Sequence, residues 1–153
     1  MTASERISGL GLALPAVATP IGSYQPAVRL GDLVYTSGQL PMVDRQLSRS
    51  GKLGADVGIE DAAAAARVAA LNAVAAAANL AGGIDNVIKI VKVTVFVAGT
   101  AEFDAQPQVA NGASDLIAEI FGDAGVHARS AVGVSSLPLN SPVEVEIIAQ
   151  IAF

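Results

Sequence analysis

The sequence predicts an α+β protein with the element order β-β-α-β-α-β-β and two helices packed on one face of a single mixed sheet. Strand-like patterns occur in pairs at both ends of this order, and two helical patterns flank a β-branched run between them. The length of 153 residues suits one domain, 1–153, that is large enough for a core of its own.

The first strand pair is predicted from two short β-like segments, 27–30 and 33–36. The turn-forming residues Gly31 and Asp32 separate these segments. The stretch 44–58 is polar and contains three glycines, so it predicts a loop. We therefore expect a hairpin followed by a long connection.

The first helix is predicted to begin near Ile59, with Asp56 as a candidate cap, and to stop at Gly82. Its apolar run 62–81 is mostly alanine and is interrupted by polar side chains, so we expect a buried helix and not a membrane span. The residues expected on one apolar face share helical spacing: Val68, Leu71, Ala75 and Ala78.

The second half of the chain holds the strongest strand pattern, a β-branched run over 87–97. A helix is predicted over 107–121, with Ala101 as an alternative start, because apolar residues recur there at helical spacing. Two further strands, 128–134 and 143–149, follow and are joined by a proline-containing loop.

The composition predicts an oligomer that does not bind nucleic acid. Apolar residues make up 52% of the chain and charged residues 15%, which is more apolar and less charged than a typical soluble protein. A chain with so few charged residues is expected to bury part of its surface between subunits. The net charge is −5 and the nine Lys and Arg residues are scattered, whereas nucleic-acid binders normally carry a basic stripe.

The residue inventory excludes several kinds of site. The absence of cysteine excludes thiol nucleophiles, disulfides and cysteine-based zinc sites. The single histidine, His127, excludes multi-histidine metal sites, and we expect it to be a solvated or hydrogen-bonded loop residue. Residues 1–10 lack the charged-then-apolar pattern of a signal peptide, so we expect a cytoplasmic protein without membrane contact.

Charged residues inside the two C-terminal strands are the candidate functional groups. The planar guanidinium of Arg129 suits two-pronged binding of a carboxylate, although an arginine at a strand end also commonly faces water or bridges a neighbour. Strand alternation places Glu144 and Glu146 on one face, so the sequence leaves open which of them is solvated and which is functional. The segment 36–41 (Thr-Ser-Gly-Gln-Leu-Pro) offers backbone N–H groups to an anion, or is a plain exit from a strand.

Five segments, taken in order, resemble one protein family. They are 20–24 (Pro-Ile-Gly-Ser-Tyr), 36–41, 91–97 (Val-Lys-Val-Thr-Val-Phe-Val), 128–130 (Ala-Arg-Ser) with its spacing to Leu137-Pro138, and 143–146 (Val-Glu-Val-Glu). On these segments the chain resembles the YjgF-type proteins, the reactive-intermediate deaminase or Rid family, over roughly residues 16–149.

The resemblance implies a chorismate-mutase-like fold assembled as a homotrimer, with ligand clefts between subunits and no metal or organic cofactor. It also implies an enamine/imine deaminase acting on a small carboxylate substrate, a 2-imino acid that is hydrolysed to a 2-keto acid and ammonia. Two other functions stay open. One is a non-catalytic trimer that binds a small carboxylate metabolite, and the other is an endoribonuclease or translation inhibitor, which the acidic charge disfavours.

The resemblance also implies roles for matching positions. Arg129 would hold the substrate carboxylate, and Glu144 would position or deprotonate the attacking water. Tyr24 would be a second catalytic residue that closes the cleft and offers a hydroxyl, although a tyrosine there can also be a wedge in the core or an interface. The remaining positions expected to line the ligand are Ser37, Gly38, Asn111 and Ala131.

Three features depart from the deaminase branch of the family. Position 131 is Ala, where that branch commonly has Cys. The loop 44–58 and the segment 111–129 also look different. We therefore expect a divergent subgroup with a reshaped substrate pocket.

Overall fold

The computed structural model describes residues 1–17, 19–20 and 22–153, and the predicted α+β fold is confirmed there. Ile21, part of the 20–24 segment, lies outside the described residues. Five strands form the main sheet: β1 (Ala27–Leu30), β2 (Leu33–Thr36), β5 (Val87–Ala98), β6 (Ala128–Val134) and β7 (Val143–Ile151). A small hairpin of β3 (Met42–Val43) and β4 (Gln46–Leu47) begins just before the predicted loop and extends into it.

The main sheet is mixed, with the strand order β1-β2-β7-β5-β6. Strand β6 runs parallel to β5, and the other neighbouring strands are antiparallel. Alternate residues of β5, such as Val93 and Val95, are fully buried under the helices, and we call this side the helix face. The opposite side carries Lys92, Thr94 and Phe96, which are half-buried, and we call it the open face.

Two helices, α2 (Ile59–Ala81) and α3 (Gln106–Phe121), pack on the helix face as predicted. A further helix, α1 (Ala3–Gly9), was not predicted. It begins with a capping box in which Thr2 and Glu5 each accept a hydrogen bond from the other's backbone. Ser4 then donates to the Asp85 carboxylate from its backbone N at 2.9 Å and from Oγ at 2.6 Å, which fastens α1 to the turn before β5.

The ends of α2 agree with the prediction except at the cap. The N-cap is Gly58, without a side-chain cap, so the prediction of Asp56 as the cap is wrong. The Asp56 carboxylate instead accepts a hydrogen bond from the Lys52 backbone N at 2.7 Å inside the preceding loop. The helix ends at Gly82, which adopts the left-handed conformation that glycine tolerates (φ 78°).

The buried side of α2 is lined mainly by alanine. Val68 and Leu71, which were predicted on that side, are only half-buried, because small side chains face the sheet and α3. By length and composition α2 could span a membrane, but 56% of its most apolar stretch is buried inside the fold. This burial is typical of the core helix of a globular domain.

Gly112 lies at a backbone contact between α2 and α3, because a Cβ atom at this position would overlap the backbone carbonyl of Ala63. Replacing Gly112 with alanine is expected to lower the free energy of unfolding by roughly 1–3 kcal/mol or more, since backbone cannot move aside as a side-chain end can. Helix propensity alone would favour alanine by roughly 1 kcal/mol, so the sign of the change is informative.

The matched control for this substitution is Gly9→Ala, because nothing lies within 4 Å of a Cβ atom at Gly9. Denaturant unfolding should show a loss of stability for Gly112→Ala and not for Gly9→Ala. Equal stability of the Gly112 variant and the wild type would contradict the close contact between the helices.

Candidate active site

The Arg129 side chain points to the helix face at the edge of the sheet. Arg129 pairs with Val93 in the parallel ladder, and residues paired across neighbouring strands point to the same side. Its Nη1 donates to Asn111 Oδ1 at 2.8 Å and to Ser114 Oγ at 3.2 Å. Both acceptors lie on one side of α3, because their positions are three apart. The structure thus brings Arg129 and Asn111 together.

The other side of the guanidinium is available for a ligand. Among the described residues, Nε and Nη2 of Arg129 donate no hydrogen bond to the protein. A guanidinium held through Nη1 presents these two nitrogens as a planar fork, which matches the two oxygens of a carboxylate. Arg129 is half-buried, so the fork is partly shielded from water.

Ala131 lies on the same side of β6 as Arg129, because it pairs with the buried Val95. It is half-buried, and its methyl group adds no polar atom next to the guanidinium. The next residue on that side, Gly133, leaves room for Gln106 of α3, since a Cβ atom at Gly133 would lie 2.9 Å from Gln106 Nε2.

Glu144 lies on the open face, on the opposite side of the sheet from Arg129. It pairs with Phe96, and its strand neighbours Val143 and Val145 are buried under the helices. One copy of the chain therefore does not bring the Glu144 carboxyl to the Arg129 guanidinium.

The Glu144 side chain packs directly over Gly38. A Cβ atom at Gly38 would lie 2.7 Å from Glu144 Cδ and 2.8 Å from Oε1, so glycine leaves the space that the carboxyl occupies. Paired backbone hydrogen bonds between Gln39 and Val145, of 2.8 and 2.9 Å, hold the two segments together. Burial raises the pKa of the Glu144 carboxyl above its ordinary value, and the charge of Glu146 raises it further.

Glu146 shares the open face with Glu144, as strand alternation predicted, but has different surroundings. It pairs with Thr94 and lines a shallow depression together with Lys92 and Tyr35. Glu144 is the carboxyl at the predicted 36–41 segment, which makes it the stronger candidate for a general base.

Ser37 and Tyr24 are linked through the backbone between them. Ser37 Oγ donates to the Gln25 carbonyl at 2.6 Å, and the Ser37 backbone N donates to the Pro26 carbonyl at 2.8 Å. The hydroxyl of Ser37 thus anchors the segment that carries Tyr24. Tyr24 itself is 52% exposed, and in the described part of the chain it has no hydrogen bond to Arg129 or Glu144.

One residue at this site, Ser114, was missed by sequence reasoning. Ser114 bonds to Arg129, and its Oγ also lies 2.9 Å from His127 Nε2. The three-residue spacing of Asn111 and Ser114 on a predicted helix was an available signal for a shared contact. His127 was expected to be solvated or hydrogen-bonded in a loop, and the second alternative is confirmed.

Within the residues that the structure describes, no group of three or more His, Asp or Glu side chains is placed to hold a metal ion. The arrangement instead offers a guanidinium fork on one side of the sheet and a carboxyl with a raised pKa on the other. These groups can bind an anion and accept a proton.

The chain matches the family described as "YjgF/chorismate mutase-like, putative endoribonuclease" over residues 4–151. Because this match spans nearly the whole chain, the protein belongs to the YjgF family of Rid proteins. Protein TCP17 from Trypanosoma cruzi is 41% identical, with 99% of this chain and 98% of that protein covered. A 2-iminobutanoate/2-iminopropanoate deaminase from Dermatophagoides farinae is 33% identical, with 92% and 94% covered.

Solved structures show the same fold. A protein of unknown function from Agrobacterium tumefaciens has a TM-score of 0.90 at 40% identity, covering 98% of this chain and 92% of its own. A "putative endoribonuclease" from Shewanella oneidensis has a TM-score of 0.94 at 35% identity, covering 99% and 100%. Escherichia coli TdcF with bound serine has a TM-score of 0.64 at 28% identity, covering 89% and 94%. The backbone is therefore closer to the first two proteins than to TdcF.

Proposed function

We propose that this protein is an imine deaminase whose active site forms between two copies of the chain, with Arg129 from one copy and Glu144 from the next. The observation that carries the proposal is Glu144, a half-buried carboxyl seated over Gly38 with a raised pKa. Such perturbed groups are characteristic of sites that perform acid–base chemistry.

The need for a second copy follows from the sheet. Arg129 faces the helices and Glu144 faces away from them, so only another subunit can bring the two groups into one cleft. A closed ring of three copies would repeat the same contact three times, with one cleft at each boundary. The family resemblance leads to the same homotrimer.

The open face also favours assembly, because it carries apolar side chains that water would otherwise contact. They are Val28, Leu30, Tyr35 and Val132, each at least 39% exposed, next to the half-buried Phe96 and Ile148. We expect light scattering at micromolar concentration to give a mass three times that of the chain. A monomer mass would contradict both the assembly and a cleft between subunits.

The Arg129 fork is proposed to bind the substrate carboxylate. Two parallel charge-assisted hydrogen bonds from Nε and Nη2 would fix the position of the neighbouring imine carbon. Escherichia coli TdcF was crystallised with bound serine, which carries a carboxylate next to a nitrogen-bearing carbon. A 2-imino acid has the same arrangement.

Glu144 is proposed to activate water. As water oxygen attacks the imine carbon, one water proton passes to the Glu144 carboxylate and the imine nitrogen takes up a proton from solvent, giving a carbon that bears both OH and NH₂. The C–N bond then breaks as Glu144 returns its proton to the nitrogen, which leaves as ammonia, while the hydroxyl group loses its proton to solvent and becomes the keto oxygen. The products are one 2-keto acid and one ammonia for each imino acid and water.

The relatives support this chemistry without naming the substrate of this chain. The Dermatophagoides farinae relative is named a 2-iminobutanoate/2-iminopropanoate deaminase. The endoribonuclease name also occurs in the family. For this chain a net charge of −5 and two carboxyl groups on the open face oppose attraction of RNA phosphates.

The test is the rate of ammonia release from imines that an amino-acid oxidase generates in situ from several amino acids, without added metal. We expect the protein to accelerate release over buffer. Pyruvate binding without acceleration for any imine would instead identify a carboxylate-binding trimer. Cleavage of RNA without acceleration would favour the ribonuclease alternative.

A further inference from the structure

The Ser114 hydroxyl lies between Arg129 and His127. Arg129 Nη1 donates to Ser114 Oγ at 3.2 Å, and the same oxygen lies 2.9 Å from His127 Nε2. The other ring nitrogen, His127 Nδ1, lies 2.6 Å from the Gly125 carbonyl oxygen. These four residues form one continuous chain of hydrogen bonds from Gly125, through His127 and Ser114, to Arg129 on β6.

The direction of each hydrogen bond follows from the chemistry of its ends. The Gly125 carbonyl can only accept, so His127 Nδ1 carries a proton. In a neutral imidazole Nε2 is then an acceptor, and the Ser114 O–H donates to it. The lone pairs of Ser114 Oγ are thereby turned toward Arg129.

We propose that Ser114 and His127 are positioning residues that set the orientation of the Arg129 guanidinium for its carboxylate ligand. Asn111 Oδ1 alone would leave the guanidinium free to turn about a single contact, whereas two acceptors on Nη1 fix its plane. His127 fixes the Ser114 hydroxyl as the second acceptor. This inference rests on the proposed function, in which the Nε and Nη2 edge binds the substrate.

Ser114 contacts Arg129 directly, and His127 acts on Arg129 only through Ser114. Ser114, His127 and Arg129 are all half-buried, so their mutual hydrogen bonds are partly shielded from competing water. A two-pronged carboxylate contact is sensitive to the plane of the guanidinium. Loss of the Ser114 hydroxyl as the second acceptor is therefore expected to reduce the affinity for a carboxylate, although the charge of Arg129 remains.

The first part of the test compares matched substitutions, with pyruvate as the probe and calorimetry on the assembled protein. Ser114→Ala is expected to weaken pyruvate binding by about tenfold, the effect of one hydrogen bond to a charged group. Ser114→Thr keeps the hydroxyl and is expected to restore affinity. Unchanged binding in Ser114→Ala would overturn the proposal.

The second part separates the two ring nitrogens of His127. His127→Gln places an acceptor near the position of Nε2 and is expected to bind pyruvate like the wild type. His127→Asn places its polar atoms near Nδ1, loses the acceptor for Ser114, and is expected to resemble Ser114→Ala. Equal losses in the two variants would show that His127 matters only for the fold of its loop.

A spectroscopic readout is direct because the chain has one histidine. Nitrogen NMR of the imidazole is expected to show the proton on Nδ1, and pyruvate should shift the Nε2 signal in the wild type but not in Arg129→Ala. A proton on Nε2 would contradict the proposed hydrogen-bond direction. Normal pyruvate binding by Arg129→Ala would contradict the proposed function, in which Arg129 binds the substrate carboxylate. If Arg129→Ala loses pyruvate binding but the Ser114 and His127 variants bind normally, only the positioning role of Ser114 and His127 is contradicted.

Discussion

Arg129→Ala is expected to abolish binding of pyruvate-like carboxylates while leaving the fold intact. Loss of a charge-assisted, two-pronged contact costs on the order of 2–5 kcal/mol, which is a loss of roughly 30-fold to several thousand-fold in affinity. The fold should persist, because Arg129 lies at the sheet edge and is half-buried, and its partners Asn111 and Ser114 can bond to water. Calorimetry with pyruvate, together with thermal unfolding, measures both parts.

The control for this substitution is Arg67→Ala. Arg67 forms an exposed ion pair with Glu119 between α2 and α3, with Nη2 and Oε2 2.9 Å apart, and takes no part in the proposed cleft. The Arg67→Ala substitution removes the same charge from the chain and is expected to leave the affinity for pyruvate unchanged. Unchanged affinity in Arg129→Ala itself would make Arg129 a structural residue of the strand end.

Glu144→Gln is expected to slow imine hydrolysis by about 10²-fold while pyruvate binding stays near normal. Glutamine keeps the size of the side chain over Gly38 but cannot accept the proton from water. The effect lies at the low end of the usual contribution of a general base, about 10²–10⁴-fold, because imines also hydrolyse readily in water.

The pH dependence follows from the raised pKa of Glu144. A base must be deprotonated to act, so the rate should fall as the pH drops through a pKa that lies above the ordinary 4.5. Glu146→Gln removes the neighbouring charge, and should keep the rate at neutral pH while moving this fall to lower pH. A Glu144→Gln variant with the wild-type rate would contradict the role of Glu144 as the general base, but not the deaminase activity itself.

Local sequence signals predicted most of the fold. The turn residues Gly31 and Asp32 gave β1 and β2 their observed bounds, and Gly82 marked the end of α2, because each signal acts within a few residues. Helix α1 is only seven residues long and was missed, although Thr2 and Glu5 formed a recognisable capping box.

The arrangement of the site depended on information that is not local. Alternation placed Glu144 and Glu146 on one side of a strand, but which side faces the helices depends on strand order and on what packs against the sheet. The link from Arg129 through Ser114 to His127 joins residues on two elements whose side chains meet only after α3 docks on the sheet. The spacing of Asn111 and Ser114 indicates that these two side chains share one side of α3, but it does not identify Arg129 or His127 as their partners.

The central claim is that Arg129 and Glu144 act in one cleft from two different copies, and mixed assembly tests it most directly. Arg129→Ala and Glu144→Gln chains, each expected to be strongly impaired alone, are refolded together in equal amounts and assayed for imine hydrolysis. With random mixing, about one quarter of the clefts receive an intact Arg129 from one chain and an intact Glu144 from its neighbour. The mixture should therefore recover about one quarter of the wild-type rate, whereas a rate no higher than the average of the two variants assembled separately would contradict a site shared between subunits.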